Sequence, residues 1–292
     1  MNERIGFLGL GSIGAPMARR LLQWPGALTV CDIRATAVEP FAASGAGVAC
    51  SPAELAAQAT IISVAVVDDE QVRRVLTGPD GLLQAAVPGT VVAVHSTIGD
   101  RTATELSAIC DRQGVEFMDA PVSGGAPGAT RGTLAVMVGG SIAAFERSRA
   151  PFGCFADLIV HAGPVGAGTR MKLARNLVHF VSFTAATEAQ RLAEAAGLDI
   201  TTLGTVVRHS DSVTGGPGAI MLRDSTAPIA ADDFWLSILR HVRDLGEKDL
   251  GLALELGERL GTPLPLAELA LGRLGPGLGV GTGETASERD SR

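Results

Sequence analysis

The chain has 292 residues. It is 46% hydrophobic but only 4% aromatic, with no Tyr, so its apolar bulk is aliphatic and sufficient for about two domains. A net charge of −7 argues against nonspecific nucleic-acid binding, which relies on basic surface, and leaves room for a local anion site. No run approaches the roughly 20 apolar residues of a membrane span. Cys31, Cys50, Cys110 and Cys154 form no CxxC pair, and with the five histidines they show no metal-ligand spacing, so reduced thiols and no metal are expected.

Arg4-Ile5-Gly6-Phe7-Leu8 already reads as a strand, so no signal peptide is expected and a soluble cytoplasmic protein is. Strands are predicted over 5–8, 28–31, 60–66, 90–95 and 115–118, and helices over 13–23, 52–59, 69–76 and 101–113. The short, continuously apolar strands suit a parallel sheet covered on both faces. A Gly/Pro-rich stretch follows Asp119, then a strand over 134–138, a helix over 142–149 and a strand over 158–160. From Gly163 the pattern changes. Residues 171–196 contain neither Gly nor Pro and are apolar nearly all round, which predicts a helix buried in a bundle. Further helices are expected near 200–210, 216–223, 233–260 and 263–273. The fold class is therefore α/β: an N-terminal Rossmann doubly wound parallel sheet, then an all-α C-terminal domain entered through a long interdomain helix. The expected boundaries are 1–163 for the dinucleotide-binding domain, 164–275 for the helical substrate and dimerisation domain, and 276–292 for a disordered tail.

Gly9-Leu10-Gly11-Ser12-Ile13-Gly14 is GxGxxG, directly after a strand and opening a helix. Glycines there permit a tight turn, close approach of a pyrophosphate and close helix–strand packing. The helix N-terminus offers free N–H groups to phosphate. A glycine turn that binds nothing is the bland alternative. The second strand ends at Asp32, whose carboxylate would accept ribose hydroxyls and repel a 2′-phosphate, favouring NAD. Arg34 pulls the other way, so NADP is not excluded. Ser96 and Thr97 lie at the carboxyl end of a strand, where ligands bind in open α/β sheets. Ser123-Gly124-Gly125 reads either as a flexible turn or as a nest of N–H groups suited to a carboxylate. Lys172 and Asn176, at i and i+4, share one helix face. That face either meets solvent at the helix start or presents an amine for acid–base work.

GxGxxG with Asp32, Ser96-Thr97, Asp119-Ala120-Pro121-Val122-Ser123-Gly124-Gly125, GxxGxGxxxKxxxN over 163–176 and Lys248-Asp249-Leu250 occur in one order. Over about residues 3–275 the chain resembles the β-hydroxyacid dehydrogenases, such as the 3-hydroxyisobutyrate and tartronate semialdehyde enzymes. The resemblance implies an oxidoreductase that moves a hydride between NAD(H) and a small 3-hydroxy acid or its semialdehyde. Lys172 would be the acid/base and Asn176 would orient the hydroxyl. Ser123, Gly124, Gly125, Lys248 and His241 would bind substrate. Gly9, Leu10, Gly11, Ser12, Ile13, Gly14, Asp32, Ile33, Arg34, Val66, Val67, Ser96, Thr97 and Lys248 would line the cofactor, and a homodimer or homotetramer is implied. Three positions depart from the family pattern. Arg175 stands where many members have Asn, His241 where many have Phe, and Val67 where Pro is common. His179, at i+7 from Lys172, reads as structural. Two rivals are kept: an NAD(P)H-dependent reductase of another aldehyde or imine, and a cofactor-binding sensor or scaffold without turnover. Imine reductases of this fold usually replace the lysine, so Lys172 argues against the imine.

Overall fold

The computed structural model describes residues 3–221, 223 and 225–281. Strands and helices alternate through β1 (Ile5–Leu8), α1 (Gly14–Leu21), β2 (Leu28–Cys31), α2 (Ala35–Ala42), β3 (Gly47–Val48), α3 (Pro52–Gln58), β4 (Ile61–Val64), α4 (Asp69–Thr77), β5 (Val91–Val94) and α5 (Asp100–Asp111). Then come β6 (Glu116–Asp119), β7 (Val122–Ser123), α6 (Gly125–Arg131), β8 (Leu134–Gly139), α7 (Ile142–Phe152) and β9 (Ala156–Gly163). The helices α8 (Ala167–Ala195), α9 (Ile200–Thr214), α10 (Trp235–Arg259) and α11 (Pro265–Leu278) complete the order. The chain forms two compact units that divide within α8, between Arg175 and Asn176.

In the first unit β3-β2-β1-β4-β5-β6 lie side by side, all parallel. This order reverses direction at β1, which creates the crevice where such sheets bind ligands. β8 then runs antiparallel to β6 and β7, and β9 pairs in parallel with β8. Every residue of β1, β2, β4 and β5 is buried because helices cover both faces. Alternate residues feed two cores. Ile5, Phe7, Val91 and Ala93 join Phe152 and Phe155 on one face, while Leu8, Ile62, Val64 and Val94 join Leu55 and Leu76 on the other. The helices start where the sequence supplies acceptors. Ser51, Asp68 and Ser141 accept the amides of Glu54, Gln71 and Ala144 at the heads of α3, α4 and α7.

The second unit is less well covered. Asp199 caps α9 through the amides of Thr201 and Thr202. Buried Glu188 on α8 accepts the amides of Leu266 at 2.8 Å and Ala267 at 3.1 Å, holding the first turn of α11. The reading of 171–196 as a helix buried in a bundle needs correction. Within α8, Met171, Leu173, Leu177, Val178, Phe180, Val181 and Phe183 are exposed in the single chain. The segment 216–223 is shorter than expected, a 3-10 turn over Gly216–Ile220. α11 carries through Pro276 to Leu278, so the first residues of the expected tail are helical, and 282–292 lie outside the described residues. Among the described residues no helix is long and apolar enough to cross a membrane.

Candidate active site

Backbone register aligns the carboxyl ends of five strands. Cys31 pairs with Leu8, Leu8 with Val64, Val64 with Val94, and Val94 with Asp119. Each first-unit motif from the glycine loop to Asp119 therefore begins at or beside this line, on one edge of the sheet. Gly9 continues β1, Asp32 β2, Val66 and Val67 β4, and Ser96 and Thr97 β5.

The glycine loop meets the needs of a dinucleotide. Gly9 has φ +93°, and a Cβ there would strike the Ala65 carbonyl; a Cβ at Gly14 would strike the Gly9 carbonyl. Gly11 differs, because a Cβ there would meet nothing within 4 Å. Its lack of a side chain answers no demand of the protein and suits close approach of a ligand. The head of α1 has no side-chain cap, and of the amides there Ala15 donates to the Gly11 carbonyl at 3.0 Å.

Asp32 is more engaged than its sequence position indicates. Its side chain is 7% exposed. Oδ2 accepts the Leu10 amide at 2.7 Å, and Oδ1 accepts the Arg34 amide at 2.9 Å and its Nε at 3.0 Å. Arg34 Nη2 also donates to the Leu10 carbonyl at 3.0 Å. Burial raises the Asp32 carboxyl, but hydrogen bonds from the Arg34 side chain and backbone and from Leu10 outweigh it and hold it below the ordinary value. The two residues that the sequence sets in opposition are thus a pair, with Arg34 lying against the acid. Ile33 between them is 97% exposed, an apolar platform beside the acid.

Ser96 is buried and donates to the Val66 carbonyl at 2.7 Å, tying the loops after β4 and β5 together, while Thr97 is exposed. Beneath them His95 is fully enclosed. Its Nδ1 lies 2.8 Å from the Ala120 carbonyl and its Nε2 3.0 Å from Ser63 Oγ. Burial pushes the imidazole down to about 4, which keeps it neutral. Ser123 is half-buried at the end of β7, and Gly124 and Gly125 have φ +129° and +62°, turning the chain into α6 with exposed backbone.

Lys172 lies on α8 in the first unit and is 8% exposed. Burial first, and then the charge of Arg175, lower its pKa. Asn176 follows one turn later on the same helix and is half-buried, and His179 packs against the rings of Phe180 and Phe183. α10 carries His241 and Lys248 two turns apart, both exposed, with Lys248 paired to Asp249 at 3.0 Å. Asp119 is a further buried carboxylate to which sequence reasoning gave no role of its own. Among the described residues no group of three or more His, Cys, Asp or Glu could hold a metal.

Comparisons with known proteins bear on the chain's family and fold. The family described as the NAD binding domain of 6-phosphogluconate dehydrogenase matches residues 4–163, and that described as the NAD-binding region of NADP-dependent 3-hydroxyisobutyrate dehydrogenase matches 166–275. An uncharacterised oxidoreductase of Mycobacterium tuberculosis H37Rv is 56% identical over 99% of this chain and 98% of its own. The NAD-dependent L-serine dehydrogenase of Pseudomonas aeruginosa is 35% identical over 92% of this chain and 90% of its own. The crystal structure of an oxidoreductase from Mycobacterium avium 104 superposes with a TM-score of 0.91 at 52% identity, covering 96% of this chain and 99% of the other.

Proposed function

Because the chain belongs to the 3-hydroxyisobutyrate dehydrogenase-type family of NAD(P)-binding hydroxyacid dehydrogenases, we propose that it oxidises a small 3-hydroxy acid, or reduces the matching semialdehyde, with Lys172 as acid/base. The observation that carries this reading is the burial of Lys172 with its pKa lowered. An amine with a lowered pKa is neutral in a larger fraction of molecules near pH 7, so it can accept the hydroxyl proton. The bound nicotinamide supplies or takes the hydride. Asp32 with Ile33, the amides at the head of α1, and the loops of Val66-Val67 and Ser96-Thr97 would hold NAD(H). NAD is preferred because the Asp32 carboxylate stays ionised. Ser123, Gly124 and Gly125 would bind the substrate carboxylate, Asn176 would orient the hydroxyl, and Lys248 and His241 would contribute from α10. The name of the Pseudomonas relative makes serine a natural member of the substrate panel.

Purified protein with NAD or NADP and 3-hydroxyisobutyrate, 3-hydroxypropionate, serine, threonate, glycerate or 4-hydroxybutyrate tests the reading through nicotinamide absorbance. Reduction of NAD by one of the 3-hydroxy acids supports it. Turnover of imines, or of aldehydes without a carboxylate, with no 3-hydroxy acid oxidised and no semialdehyde reduced, would replace it. A homo-oligomer belongs to the same reading. The exposed apolar side chains of α8, with Val206, Val207 and Val213 of α9, support it. Light scattering at micromolar concentration would return a dimer or tetramer mass, and a monomer mass would contradict it.

A further inference from the structure

β6 ends on Asp119, a carboxylate 1% exposed and distant in sequence from everything it binds. Oδ1 accepts the Gly166 amide at 2.7 Å and Oδ2 the Thr169 amide at 2.6 Å. α8 starts at Ala167, so both amides belong to its head, where N–H groups have no intrahelical acceptor. No side chain next to the helix start does this work. The acceptor comes from 47 and 50 residues upstream, on the end of a parallel strand. Two charge-assisted bonds to one rigid carboxylate fix the direction of the helix as well as its position.

The backbone closes on the same spot. A Cβ at Gly168 would strike the Met137 carbonyl and come within 2.5 Å of the Asp119 carbonyl, and one at Gly139 would strike Asp119 Oδ1. The head of α8 therefore lies directly on the ends of β6 and β8 with no side-chain cushion. Lys172 follows Thr169 by three residues, one turn on and on the same side of the helix. Burying a carboxylate is costly unless its bonds are made. Here the bonds made are the two that set the turn before the lysine.

We propose that Asp119 is a positioning residue: it ties the first turn of α8 to the end of β6 and so fixes Lys172 at the carboxyl edge of the sheet. This rests on the reading of Lys172 as acid/base.

Asp119→Asn tests it. The amide has one acceptor oxygen, so it cannot satisfy both Gly166 and Thr169, and its NH2 is turned against one of the two donors. The rate of single-turnover hydride transfer, with full-length enzyme in excess, should fall roughly 10–100-fold, as for a reacting group displaced by about an ångström. NADH affinity should stay within about twofold, since no cofactor contact is touched. Added to Lys172→Ala, Asp119→Asn should cost nothing further, because the group it positions is already gone. An unchanged rate, a loss of NADH affinity in step with the rate, or an undiminished cost in the Lys172→Ala background would each overturn the proposal. Should Asp119→Asn not fold, Thr169→Pro removes one of the same bonds from the helix side, at a first-turn position where proline is tolerated, and the same outcomes apply. Full turnover by Lys172→Ala would sink the acid/base reading itself. Loss in Lys172→Ala beside an unchanged Asp119→Asn would sink the positioning role alone.

Discussion

Acid should weaken this fold through one buried imidazole. His95 sits between the Ala120 carbonyl and Ser63 Oγ, edge-on to the rings of Phe152 and Phe155 and stacked at 6.5 Å on Phe7. Its pKa falls from 6.5 to about 4 on folding. The unfolded chain therefore binds a proton that the folded chain refuses between those values, and stability is lost as pH falls through that window. The full loss is about 3.4 kcal/mol, from 1.36 kcal/mol per pKa unit. At pH 4.5 about 2.5 kcal/mol of it has gone, and at pH 7 almost none. Other groups titrate in the same range, so the measurement is a difference. Urea unfolding of the wild type and of His95→Gln, which keeps a polar side chain but cannot titrate, would be followed from pH 7 to pH 4.5. The gap in unfolding free energy should move by about 2–3 kcal/mol against the wild type over that range. A gap that holds constant would refute the reasoning, since it would mean that His95 is not held neutral.

Other expectations follow from the same geometry. Gly11→Ala should fold with a melting temperature close to that of the wild type and lose NADH affinity by at least about tenfold, roughly 1.4 kcal/mol, because only a ligand occupies that space. Gly9→Ala should instead destabilise the protein before any ligand is added, since φ +93° and the Ala65 carbonyl both oppose a side chain. Thermal melts and NADH titration by fluorescence distinguish the two. Glu188→Ala leaves the amides of Leu266 and Ala267 without their acceptor and should cost about 1–3 kcal/mol in chemical unfolding. An unaltered midpoint would show that water replaces the carboxylate freely.

Much of the first unit was legible because its strands are uniformly apolar and punctuated. Strands 5–8 and 28–31 match the structure residue for residue. Elements without that contrast were missed. α2 carries Pro40 in its middle, β3 is two exposed residues, and α6 hides in the glycine-rich run after Ser123. In the site, spacing identified Asp32 and Arg34 but assigned them opposite tendencies, and only three-dimensional structure shows the guanidinium lying on the carboxylate. In the sequence Asp119 is one letter of a motif with no visible task, because its partners are helix amides some fifty residues away and backbone amides leave no trace in residue types. The apolar circumference of α8 was legible as well, but the pattern that marks burial does not say what does the burying. In the single chain many of those side chains face outward.

The central claim is that Lys172 moves the proton. Wild type and Lys172→Ala, each saturated with NADH as judged by fluorescence titration, would be compared for single-turnover hydride transfer with whichever semialdehyde the wild type accepts. Unchanged NADH affinity with a rate lowered roughly 10²–10⁴-fold is the result predicted for an acid/base. A rate within about twofold of the wild type, or affinity and rate lost together, would contradict it and make the lysine a structural residue.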